Sequence, residues 1–344
     1  MIALAIFVLW DVFLQLLLTF SRGTWTISSW LQWDAGHYLA LAGSGYTQAY
    51  QAAFFPFYPF LIKTVSSLGI SLSVSAFLLN QCVTLGVCLL LYKITRAQFG
   101  KKEALWTLIL FLSFPTSFFL IAGYSEALFL LLTLSFFTCL KRKKYLLSAV
   151  FVVLGTLTRS VGLILLLSFW IFLWKEQKLP RRFFYMAVSL LGVFSLMIID
   201  AVQFGDPLLF LTAQQFWQRS FSTPWQVVLL YVVNFLNAPF FRYMDILAII
   251  EFVITAFFLF LTGAVMVQKR FSVEQKLYVF GACLLPLFGG NLASMPRYVL
   301  AVYPAFQRLT QLLGNGFMRV GLTIIFLSFL SIFVRLFWQG IWIA

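Results

Sequence analysis

Charge is what this chain of 344 residues has least of: Asp and Glu together number ten, and charged residues make up 10% of the sequence. A soluble domain carries about 25%. With 62% hydrophobic residues and a mean hydropathy of +0.97, a soluble globular fold is excluded. Histidine occurs once. The four cysteines (Cys82, Cys88, Cys139, Cys283) lie in apolar stretches without a CxxC pair, so neither a zinc site nor a disulfide framework is indicated. Stretches such as 104–121 and 320–338 lack the apolar/polar alternation of membrane β-strands, which excludes a barrel. The first 20 residues lack a basic n-region and a small-residue cleavage site and read as a retained first helix. There is no low-complexity tract, linker, soluble insertion or internal repeat, so residues 1–344 read as a single domain.

What the chain has is apolar runs of about 18 to 20 residues from end to end, each able to cross a hydrocarbon layer of roughly 30 Å as a helix. The fold class is all-α and polytopic. The net charge of +14 does not point to nucleic acid, because the basic residues sit in short clusters between apolar runs and form no continuous face. Five clusters (93–102, 141–144, 175–182, 269–276, and Arg308 with Arg319) hold seventeen of the 24 basic residues. The positive-inside rule puts them in the cytosol. The other seven are Arg22, Lys63, Arg159, Arg219, Arg242, Arg297 and Arg335.

This orientation predicts about 11 membrane crossings. Residues 21–75 form a first outer loop of interfacial or re-entrant helices, because the helix at about 76–93 must run back toward Lys93. Spans follow at 104–121 and 124–140. Both 141–144 and 175–182 are expected to be cytosolic, so the stretch between them goes in and returns as a short hairpin with Thr158, Arg159 and Ser160 at its tip. Residues 183–202 cross outward, 202–245 stay outside with an apolar piece at 225–241 along the membrane, and helices at about 246–267, 277–291, 298–313 and 320–338 complete the chain.

The densest polar and aromatic stretch is Ser29 to Leu61. Asp34 and His37 are three apart and share a helix face. A carboxylate beside an imidazole suits proton acceptance; the plainer alternative is an interfacial helix with Asp34 near its N-terminal end and aromatics in the headgroup belt. Arg159, Arg242 and Arg297 are placed on the same side, where a planar guanidinium fork suits phosphate. A charge at the tip of a membrane hairpin costs several kcal/mol without a partner, or else snorkels to headgroups. Glu126 either contacts substrate or complements a helix dipole, and Asp200 and Asp206 flank an FGDP turn of ordinary loop chemistry. Three classes remain: a lipid-linked transferase of the outer leaflet, a transporter, and a channel or structural protein. Transporters usually show repeats and mid-membrane charges; one-sided charge favours a surface active site.

Five blocks resemble the PIG-V family of mannosyltransferases that build glycosylphosphatidylinositol anchors, and their bacterial relatives: WDAGHYLALAGSGY (33–46), AFFPFYPFLI (53–62), SFPTSFFLIAGYSEALFLLL (113–132), LTRSVGLILL (157–166) and MPRYVLAVYP (295–304). The first is the most specific. Gln48 and Gln51 stand where relatives often carry an acidic residue, and TRSVG where many bacterial relatives read TRPVG.

The resemblance implies a GT-C-type helical bundle that moves a sugar, mannose by analogy, from a polyprenyl-phosphate carrier to a lipid or glycan acceptor on the non-cytosolic face, with inversion. Asp34 matches the catalytic carboxylate of the first outer loop, with His37 to orient it or bind sugar. Tyr46, Tyr124, Glu126, Arg159, Arg297 and Tyr298 are the expected substrate contacts, the two arginines holding phosphate. No cofactor is implied. The absence of a DxD-type motif agrees with a carrier-phosphate donor and leaves Mg²⁺ optional. A bacterial cell membrane is the expected location, or the endoplasmic reticulum if the source is eukaryotic.

Overall fold

The computed structural model describes residues 1–176, 178–237 and 243–343, so Arg242 lies outside the described residues. All regular structure among them is helical. The chain opens with α1 (Ile2–Arg22), α2 (Asp34–Ser44), α3 (Phe57–Ser66), α4 (Leu72–Phe99), α5 (Lys101–Ser113) and α6 (Glu126–Lys141). The middle comprises α7 (Tyr145–Thr156), α8 (Gly162–Glu176), α9 (Arg181–Phe204), α10 (Leu209–Thr212) and α11 (Pro224–Asn237). The last part holds α12 (Tyr243–Val267), α13 (Val273–Leu284), α14 (Met295–Tyr298), α15 (Tyr303–Leu312) and α16 (Gly316–Trp338).

Five of these helices, α1, α4, α9, the 246–267 part of α12, and α16, are long and apolar enough to cross a membrane. The expected count of about 11 crossings is not met by length. The other six expected spans are α5, α6, α7, α8, α13 and α15, of 10 to 16 residues, or about 15 to 24 Å at 1.5 Å per residue. Three of the six meet short 3₁₀ turns, at 117–120, 285–289 and 299–301. Irregular backbone at membrane depth is tolerated where protein or a cavity covers it, and these turns lie at the end of the bundle that carries Glu126 and Arg297.

Local chemistry sets several boundaries. The Ser71 hydroxyl accepts from the Val74 N–H at the start of α4, and Asn315 from the Met318 N–H at the start of α16. Ser272 and Gln275 form a reciprocal capping box on α13, satisfying N–H groups that have no intrahelical partner. The interior is aromatic. Phe114 lies edge-on to Phe258, Phe306 and Phe326 at 5.6, 5.4 and 5.3 Å, joining α12, α15 and α16 through favourable ring geometry.

The hairpin reading holds. Arms α7 and α8 meet so closely that a Cβ at Gly162 would sit 2.5 Å from the Gly155 carbonyl oxygen; only glycine permits this approach.

At the opposite end of the bundle basic segments meet. The Gln98 side chain donates to the Arg270 carbonyl at 2.8 Å. The buried Arg319 donates to the Leu313 and Thr310 carbonyls at 2.8 and 3.0 Å and reaches Glu103 at 3.2 Å. It thereby satisfies the open C-terminal carbonyls of α15. Arg319→Met is expected to destabilise the fold by about 2 to 3 kcal/mol, read as a lowered midpoint of thermal unfolding in detergent.

Candidate active site

Asp34 is the first residue of α2, where the helix dipole favours a carboxylate. The preceding Trp33 is held at φ 53°, ψ −117°, a conformation costly for a bulky side chain, and its ring packs edge-on to Trp342 at 5.4 Å. A second left-handed residue, Ser294 at φ 69°, precedes α14 and Arg297. Each of these two turns aims a charged side chain at the other. Arg297 Nη1 lies 2.7 Å from Asp34 Oδ2.

Arg297 Nε also lies 3.0 Å from Glu126 Oε1, and Arg159 Nη1 lies 2.7 Å from the same oxygen. Four residues spread from position 34 to 297 thus form one alternating line: Asp34, Arg297, Glu126, Arg159. Their side chains are 19%, 6%, 3% and 16% exposed, so low dielectric strengthens each contact. Arg159 also donates to the Ser125 hydroxyl at 3.2 Å, which pairs with the Tyr38 hydroxyl at 2.9 Å. Burial would lower the pKa of Arg297, yet Asp34 and Glu126 outweigh it and raise the value further.

The turn before α6 makes this line possible. A Cβ at Gly123, whose φ is +76°, would lie 2.5 Å from Leu31 Cδ2 and 3.1 Å from Ala35 Cβ, so glycine lets the 121–125 turn press against the first loop. Helix-dipole complementarity alone does not describe Glu126; its carboxylate bridges two guanidiniums. Tyr124 is buried beneath Arg297, ring centroid to guanidinium 5.0 Å, and its hydroxyl donates to the Gln32 carbonyl.

The charged line borders a cavity of about 510 Å³ whose wall includes Asp34, Arg159, Arg297, Tyr298 and Arg219. Tyr298 is ringed by cations: the guanidinium carbons of Arg159, Arg219 and Arg297 lie 5.1, 5.2 and 5.5 Å from its ring centroid. Burial would raise its phenol, but the three arginines prevail and hold it below the ordinary tyrosine value.

Of the expected site residues, the buried Tyr124 and Glu126 lie behind the cavity wall, and His37 and Tyr46 are also absent from it. His37 makes no hydrogen bond among the described residues; its ring stacks on Phe54 at 4.8 Å and meets Trp217 and Tyr50 at 5.1 and 5.9 Å. One helical turn beyond the strained Trp33, it faces rings while Asp34 faces Arg297. Tyr46 is not part of the cavity wall: its hydroxyl donates to the Phe54 carbonyl and its own carbonyl accepts from Gln203, closing the first loop. Asp200 and Asp206 accept from the Phe210 and Leu208 N–H groups, as loop chemistry would have it. Arg219 had no motif around it; its only sequence signal was a location among the seven basic residues outside the clusters.

The profile of the mannosyltransferase (PIG-V) family matches residues 21–204, which includes Asp34, Glu126 and Arg159. The chain belongs to the PIG-V family. It is 34% identical over 144 residues to GPI alpha-1,6-mannosyltransferase 2 of Cricetulus griseus, covering 39% of this chain and 29% of that protein. Against its Homo sapiens counterpart the identity is 32% over 150 residues, covering 38% and 29%. The aligned part thus spans under a third of these relatives' length. The fold is similar to the crystal structure of ArnT from Cupriavidus metallidurans bound to undecaprenyl phosphate, with a TM-score of 0.53, 16% identity, and coverage of 86% of this PIG-V-family chain and 59% of that one.

Proposed function

We propose that this chain is an integral-membrane mannosyltransferase, which moves a sugar from a polyprenyl-phosphate carrier to the hydroxyl of a lipid or glycan acceptor. The observation that carries this reading is a carboxylate on the wall of a cavity rimmed by three arginines, in a PIG-V-family chain. Asp34 takes the proton of the acceptor hydroxyl. The acceptor oxygen bonds to the anomeric carbon from the face opposite the carrier, and the carbon–oxygen bond to phosphate breaks with its electron pair leaving on the phosphate. Such a displacement needs a held base and cations at the departing charge. Arg297 holds the base through Oδ2, and Arg159 extends the positive wall.

The site is proposed to face the non-cytosolic side. In a background with the four native cysteines replaced, cysteines at Ser44 and Ser160 are expected to react with an impermeant thiol reagent added outside, and a cysteine at Ser272 to stay unlabelled. All three side chains are exposed. Outside labelling at 272, or protection at 44, would reverse the orientation.

The function is tested in liposomes holding only the purified protein, radiolabelled polyprenyl-phosphate sugars offered singly, and a membrane lipid extract. The expected result is a new labelled glycoside with the mannosyl donor. Leaflet exchange of intact donor without product would replace the transferase with a lipid-linked-sugar transporter.

A further inference from the structure

The geometry points to Arg219 as the residue that binds the phosphate of the lipid-linked donor, an assignment that rests on the transferase reading above. Charge accounting in the cavity leads there. Arg297 is matched by Asp34 and Arg159 by Glu126, so the buried line of four sums to zero. Arg219 is the third guanidinium at Tyr298, and among the described residues no carboxylate lies within ion-pair distance of it. The buried carboxylate of Glu251 acts on Arg219 only at longer range and is hydrogen-bonded by the Tyr231 hydroxyl, so Arg219 is the guanidinium at Tyr298 without a contact ion pair among the described residues.

Arg219 is also built in place. Its Nη2 donates to the Ala293 carbonyl at 2.8 Å, which leaves further donors of its planar fork for an anion. The segment that carries it is laced to the 288–293 turn: the Ser222 N–H donates to the Phe288 carbonyl, and a Cβ at Gly290 would lie 2.8 Å from the Ser220 carbonyl oxygen. The cavity wall beside it combines polar Ser220 and Ser294 with apolar Leu285, Pro286 and Phe288. A phosphate carrying a hydrocarbon chain matches that mixture, whereas a free sugar needs neither the charge nor the apolar wall. Arg159 and Arg297 then act by fixing Asp34 and the local potential, while Arg219 meets the charge that builds on the leaving group.

The test uses the full-length protein in nanodiscs with two probes, undecaprenyl phosphate and undecaprenol, which differ only in the phosphate. Wild type is expected to bind the phosphate form at least tenfold more tightly. Arg219→Gln, which keeps a donor for the Ala293 carbonyl, should erase that preference and leave undecaprenol binding unchanged. Equal binding of both probes by wild type would defeat the donor reading itself. A retained preference in Arg219→Gln would defeat only the assignment of Arg219. A second measurement needs no variant: arginine-directed dicarbonyl labelling of the wild type, mapped by mass spectrometry, should show Arg219 protected by undecaprenyl phosphate and not by undecaprenol. Undiminished labelling of Arg219 at saturating lipid phosphate overturns the assignment.

Discussion

Asp34→Asn is expected to lower sugar transfer by at least about a thousandfold while the protein still inserts and purifies. A positioned general base contributes typically 10²- to 10⁴-fold, and the amide keeps the shape of the carboxylate while losing its proton affinity. The change also removes the charge that faces Arg297 at 2.7 Å, so the base and the geometry of its holder are lost together. The measurement is single-turnover transfer from a fixed amount of labelled donor. Transfer within tenfold of wild type would remove Asp34 from the chemistry. His37→Ala, by contrast, is expected to cost no more than about tenfold, because the ring supports the packing of the 209–217 segment against the first loop and carries no proton in the reaction. A larger loss for His37→Ala than for Asp34→Asn would exchange their roles.

Glu126→Ala carries the second large effect. Its carboxylate is 3% exposed and is shared by Arg159 and Arg297. Deleting it strands Arg159 and leaves Arg297 with Asp34 alone, and losing one partner of a buried pair costs about 3 to 5 kcal/mol. Unfolding in a denaturing detergent series should shift by that amount. Adding Arg159→Gln to Glu126→Ala removes the stranded charge and should recover part of the loss, so the two substitutions are expected to be non-additive by more than about 1 kcal/mol. Strict additivity would mean that the line of charges is not energetically coupled. Because Glu126 also steadies Arg297, and through it Asp34, transfer per folded molecule should fall even where stability is recovered.

Much of the architecture was legible before any coordinates. The first helix, the returning helix that became α4, the α7–α8 hairpin and the separate apolar helix α11 all follow from hydropathy, helix rise and the placement of basic clusters, which are properties of contiguous segments. Asp34 and Arg159 stood out for the same reason: a charge inside an apolar or aromatic stretch is expensive and needs a purpose. Apolar composition does not reveal where a helix breaks: α5, α13 and α15 are shorter than the runs that contain them and meet 3₁₀ turns.

The linkage of the site was not legible. Asp34 and Arg297 are 263 residues apart in the chain, and their meeting depends on two left-handed turns, at Trp33 and Ser294, whose strain is offset by packing from distant elements. Helical spacing placed Asp34 and His37 on one face, yet face sharing sets only where a side chain starts; Trp342, Arg297 and the Phe54–Trp217 rings set what each one touches. Arg219 shows the same division most clearly. Its sequence neighbourhood is unremarkable, and its meaning comes from which guanidiniums at Tyr298 have a carboxylate in contact and which do not. Hydrophobic pattern and charge count act locally and can be read along the chain, whereas pairing of buried charges is a property of packed helices, because only packing removes the water that would otherwise make every such charge independent.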